Sequence, residues 1–127
     1  MIQLSDDSRA EALGMIRKAK LSHVRWRAYA QSMVAGVPVD EDRVPVQHTD
    51  CQFGQWYFGA GMRQLGDLEL YKKVREPHET LHNVYAEIHT LIGNHNLAAA
   101  NVKLEELVAA SRELLDLMDA LEAEVGG

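Results

Sequence analysis

The chain contains one cysteine and six histidines, and four of these seven residues are spaced in a way that could hold a metal ion. His78 and His82 stand four residues apart, which places both imidazoles on one face of a helix. Cys51 lies 28 residues after His23 and 27 residues before His78. Three imidazoles and one thiolate are the ligand types and number of a closed tetrahedral Zn²⁺ site, and the soft sulfur favours zinc over magnesium or calcium.

Each of these residues also has a simpler interpretation. His23 lies on an apolar helical face, where it could be a core histidine bonded to a backbone carbonyl. A single buried cysteine such as Cys51 often behaves as a small hydrophobic residue. The His78–His82 spacing also arises by chance. The combination of all four on three separated segments is what indicates a zinc site.

The first of these segments is predicted to be a long amphipathic helix. The run Ser5-Asp6-Asp7-Ser8 supplies N-cap residues, and Gly36 and Pro38 supply a stop. Between them, residues spaced alternately four and three apart form one mostly apolar face: Ala12, Ile16, Ala19, His23, Trp26, Ala30 and Met33. His23 is therefore expected to point into a core, with Trp26 beside it.

The cysteine segment is predicted to be a short, weak helix beginning near Cys51, after a long surface connection over about residues 36–50. Glycines at 54, 59, 61 and 66 lower its helix propensity. A helix N-terminus favours the thiolate form of cysteine. Packing or a metal bond would be needed to hold such a segment.

The remaining chain predicts two more substantial helices. Asp67 is a candidate cap for the first of them, which carries His78 and His82 and stops at Gly93-Asn94. Pro77 either kinks this helix or starts a new one. Residues 97–125 form the clearest helix, with an apolar stripe and no internal proline or glycine. The pattern predicts an all-α fold, an antiparallel four-helix bundle in which a short weak helix carries the cysteine motif, and a single domain over residues 1–127.

Composition excludes several classes of function. The formal net charge is −6 and no Lys/Arg cluster is present, which disfavours binding to nucleic acid or to an anionic membrane. No apolar run approaches the length of a membrane span, and no signal peptide is visible. The lone thiol in an apparently unexported chain predicts a cytoplasmic location.

Three motifs resemble the chemoreceptor zinc-binding (CZB) family. They are His23-Val24-Arg25-Trp26, then Cys51-Gln52-Phe53-Gly54-Gln55-Trp56, then His78-Glu79-Thr80-Leu81-His82. The family signature has a histidine and an aromatic residue three positions later, a Cys-x-hydrophobe-Gly-x-aromatic core, and His-x-x-x-His, and the chain matches it throughout. The overall pattern is most similar to the N-terminal domain of zinc-responsive diguanylate cyclases.

The resemblance implies a cytoplasmic zinc-sensing regulatory domain with His23, Cys51, His78 and His82 as ligands. It also implies a four-helix bundle that forms a homodimer. Its allosteric target would be a signalling output, either a diguanylate cyclase that makes cyclic di-GMP or a chemoreceptor signalling domain. The domain itself is not expected to be an enzyme, because four protein ligands leave no open zinc position for water.

Two other functions remain open from the sequence. Oxidation of Cys51 with release of zinc would make the domain a thiol-based oxidant sensor. The second function is that of a plain helical dimerisation module in which the histidines bind no metal. His89 is expected to serve packing or to support the ligands, whereas His48 and His95 are expected to be solvated.

Overall fold

A computed structural model of the protein describes residues 4–37 and 52–127, and every regular element in these ranges is helical. The helices are α1 (Asp6–Val34), α2 (Gln52–Phe58), α3 (Ala60–Leu65), α4 (Glu69–Gly93) and α5 (Leu97–Gly126). The predicted all-α fold is confirmed. Cys51 and the connection before it lie outside the described residues.

Helix α1 begins and ends as its sequence predicts. The Ser5 hydroxyl accepts a hydrogen bond of 3.1 Å from the Ser8 amide, which satisfies one free donor of the first turn. At the other end, the amide of Val37 donates to the carbonyl of Ser32 across Gly36, whose φ is 86°. This left-handed conformation is available to glycine without steric cost, so Gly36 closes the helix.

The weak segment forms two short helices separated at Gly59, where ψ is −113° and leaves the helical region. The expected cap at Asp67 is wrong. The N-cap position of α4 is Leu68, in an extended conformation with ψ of 132° and without a side-chain hydrogen bond. Asp67 stands one residue too early to accept from the first helical amides.

Helix α4 continues through Pro77, which is buried in its interior. The alternative of a new helix beginning at Pro77 is therefore wrong. After Gly93 the chain reverses through His95, which is exposed and has a φ of 59°. The Asn96 side chain then caps α5 by accepting from the Ala99 amide at 3.2 Å.

Helix α5 packs against both α4 and α1, and its predicted apolar stripe forms the centre of the core. Fully buried core side chains include Ile16, Leu81, Ile88, Leu107, Leu114, Met118 and Leu121. Ion pairs also join α1 to α5, because Glu122 contacts Arg17 at 2.7 Å and Lys20 at 2.9 Å. Among residues 4–37 and 52–127, no helix is long and apolar enough to cross a membrane.

Candidate metal centre

Three histidines from two helices meet in the bundle interior. His23 lies in the middle of α1, and His78 and His82 lie on successive turns of α4. All three are buried, with exposed fractions of 1% or less. One ring nitrogen from each lies within 4.8 Å of the other two, so that the three could share one ion.

The orientation of His23 suits a ligand. Its Nδ1 lies 2.7 Å from the carbonyl oxygen of Ala19, one helical turn earlier. A carbonyl can only accept, so Nδ1 carries the proton and donates it. Neutral His23 then has a lone pair on Nε2. Histidines that bind metals commonly donate their other ring N–H to a backbone carbonyl in this way, which fixes both the tautomer and the ring orientation.

The two histidines of α4 are already spaced like neighbouring ligands. The Nε2 atoms of His78 and His82 are 3.1 Å apart. Two nitrogens bound at 2.0–2.1 Å to a tetrahedral zinc ion would be separated by about 3.3 Å. The observed separation agrees with this value to within a few tenths of an ångström, so the distance between the two nitrogens is compatible with one shared zinc ion.

Burial favours the uncharged form of His23. Desolvation lowers the pKa of His23 to about 4, although its hydrogen bond to Ala19 acts in the opposite direction. Neutral imidazole is the form that binds a metal, so at neutral pH no proton has to be displaced from His23.

Aromatic side chains surround the histidines. The Trp26 ring contacts His82 with a centroid separation of 3.9 Å and also lies beside His23 at 5.8 Å. From α2, the Phe53 ring meets His78 edge-on at 5.1 Å and His23 at 5.8 Å. These rings limit the access of water, which strengthens bonds between a metal and its ligands.

The predicted residues therefore separate into three groups. His23, His78 and His82 are brought together, and Trp26 packs against them as expected. Cys51, the fourth expected ligand, and His48 lie outside the described residues, and nothing in the structure tests the complete ligand set. His89 is partly buried and does not belong to the described metal-binding cluster, while His95 is exposed as predicted.

The sequence analysis predicts that Trp56 packs near the site, but it assigns no role to Phe53 or Tyr57, which lie on the same helix α2. Phe53, Trp56 and Tyr57 follow a spacing of three and four, which is the signature of one helical face. All three are buried. This spacing was available in the sequence and predicts a face directed at the site.

Comparison with known proteins agrees with this geometry. The family model described as the chemoreceptor zinc-binding domain matches residues 23–89, more than half of the chain. The matched range starts at His23 and contains Cys51, His78 and His82. Zinc is accordingly the cofactor of this domain. A search of curated proteins and a search of solved structures each found no match.

Proposed function

Because the chain belongs to the chemoreceptor zinc-binding domain family, we propose that it is a zinc-responsive regulatory domain whose ion is held by His23, Cys51, His78 and His82. The observation that carries this proposal is the convergence of three buried imidazole nitrogens within 4.8 Å. Burying three polar rings in a core costs solvation free energy. A metal ion bound there would offset that cost.

A four-ligand site supports regulation rather than catalysis. With three histidines and a thiolate, a tetrahedral zinc ion has no open position for a reacting water. When bound, zinc supplies a closed set of bonds that joins α1, α4 and the residue preceding α2. Binding free energy then becomes conformational free energy of the bundle. We propose that residues 1–127 act as one such domain in the cytoplasm, where thiols stay reduced.

The regulated partner is proposed to be a signalling output, a diguanylate cyclase or a chemoreceptor signalling domain. A homodimer would carry the signal, because paired bundles can change their relative packing when the metal binds. The outer face of α1 supports such an interface. Leu21 and Val24, three residues apart on it, are 65% and 42% exposed. Leu21→Glu is therefore expected to shift the protein toward monomer in sedimentation equilibrium.

Metal content and affinity test the zinc assignment. Purified protein is expected to contain one zinc ion per chain by elemental analysis. In titrations against a chromogenic chelator, Cys51→Ala and each single histidine variant are expected to bind zinc far more weakly while remaining helical by circular dichroism. Unchanged zinc affinity in those variants would contradict the proposed ligand set. Zinc release by stoichiometric hypochlorite would instead assign the signal to oxidation of Cys51.

A further inference from the structure

Two tyrosines join α2 to α4 through a reciprocal pair of hydrogen bonds. The Tyr57 hydroxyl donates to the carbonyl of Tyr71 at 2.6 Å, and the Tyr71 hydroxyl donates to the carbonyl of Tyr57. Their rings are stacked, with centroids 4.3 Å apart and an interplanar angle of 3°. Both side chains are buried, so these hydrogen bonds are shielded from competing water.

The pair connects the last turn of α2 with the first turn of α4. Tyr57 is one helical turn beyond Phe53, whose ring contacts His23 and His78. Tyr71 is two turns before His78 on the same helix. Besides its neighbour α3, the backbone of α2 packs against α1. The two tyrosine side chains join α2 to the helix that carries His78 and His82.

Gly61 leaves the space that the Tyr71 hydroxyl occupies. A Cβ atom at Gly61 would lie 2.7 Å from the Tyr71 hydroxyl and 2.9 Å from the Trp56 carbonyl, so only glycine permits this approach. A second contact lies next to the first, because the Arg75 guanidinium stands 5.4 Å from the centre of the Phe58 ring. The end of α2 is thus held at two consecutive residues.

We propose that Tyr57 and Tyr71 are positioning residues for the zinc site, which hold α2 in its metal-binding arrangement before the ion arrives. This inference rests on the proposed function, in which Cys51 is a ligand. Cys51 is covalently attached to Gln52, the first residue of α2. Holding α2 in place reduces the conformational entropy that this ligand loses on binding, and so raises zinc affinity without any contact to the ion.

The test measures zinc affinity of Tyr57→Phe and Tyr71→Phe, which remove one hydroxyl each and retain the rings. Since a net hydrogen bond contributes about 1 kcal/mol, each variant is expected to bind zinc about fivefold more weakly. Tyr29→Phe, a partly buried tyrosine on α1, is the matched control and is expected to bind as the wild type does. Each variant is also made in a Cys51→Ala background.

In the Cys51→Ala background, the tyrosine variants are expected to lower zinc affinity less than they do in the wild-type background. The remaining ligands lie on α1 and α4, and only ring contacts such as those of Phe53 still connect them to α2. Equal losses in the two backgrounds would overturn the proposal, since a general loss of stability would weaken three-histidine binding as well. No loss in either background would also overturn it.

Failure of the proposed function gives a different result. If Cys51→Ala itself binds zinc as the wild type does, the proposed ligand set is wrong. The tyrosine pair is then judged from hydrogen exchange of the α2 amides in chelator-treated protein. Both tyrosine variants are expected to exchange at least about fivefold faster there than the Tyr29→Phe control. Unchanged exchange of α2 would overturn the positioning role.

Discussion

Replacing His82 by alanine tests whether this histidine is a metal ligand or only a packing residue of the core. Structural zinc sites bind with about 10–16 kcal/mol, which divided among four ligands gives about 2.5–4 kcal/mol for each. His82 is fully buried, and its Nε2 already lies 3.1 Å from that of His78. We therefore expect the whole contribution of this ligand to the binding free energy to be lost. His82→Ala should then bind zinc about 100- to 1,000-fold more weakly.

The assay is a competitive zinc titration at fixed pH and ionic strength, paired with thermal unfolding in chelator and in excess zinc. The matched control is His89→Ala, on the same helix seven residues further on. It is expected to bind zinc as the wild type does. His82→Ala should lose more stability in zinc than in chelator, because only the zinc-loaded state uses the ligand. Equal losses in the two conditions, or a comparable affinity loss in His89→Ala, would refute the ligand role.

Three further predictions concern the metal-free fold. Gly61→Ala would bring a Cβ within 2.7 Å of the Tyr71 hydroxyl and should cost about 1–3 kcal/mol in urea unfolding. In contrast, Gly14→Ala meets nothing within 4 Å inside α1 and should stabilise by up to about 1 kcal/mol; a loss there would contradict the packing described. Burial lowers the pKa of His23 to about 4, so between that value and its ordinary pKa of about 6.5 the unfolded chain binds more protons than the folded one. Chelator-treated protein should therefore lose about 2 kcal/mol of stability between pH 7 and pH 5 from this residue, and the same loss in His23→Gln would contradict the assignment.

The long helices could be predicted because their signals are local. The N-cap at Ser5, the stop at Gly36 and the apolar stripes of α1 and α5 each depend on residues within a few turns. Two local signals did not predict the observed helix correctly or uniquely: one at the start of α4 and one at Pro77. Asp67 has the chemistry of a cap, but the turn after α3 places Leu68 at that position. Pro77 disfavours helix, yet burial of the apolar face of α4 outweighs the lost hydrogen bond.

The site was predictable in part for the same reason. The positions of His23, His78 and His82 on apolar faces follow from periodicity, and their residue types indicate a metal. The tautomer of His23 and the 3.1 Å separation on α4 depend on side-chain torsions that no pattern encodes. The contact between Tyr57 and Tyr71 could not be predicted from the sequence. The two residues lie on different helices, and their hydroxyl and carbonyl groups are present in every tyrosine, so no sequence pattern marks this pair.

X-ray absorption at the zinc edge tests the central claim most directly. For purified protein with one zinc ion per chain, the claim predicts one sulfur at about 2.3 Å and three nitrogens at about 2.0–2.1 Å. In Cys51→Ala the sulfur contribution should disappear and a light-atom ligand should replace it. A wild-type shell made only of nitrogen and oxygen, or protein that retains no zinc after purification, would contradict a site formed by His23, Cys51, His78 and His82.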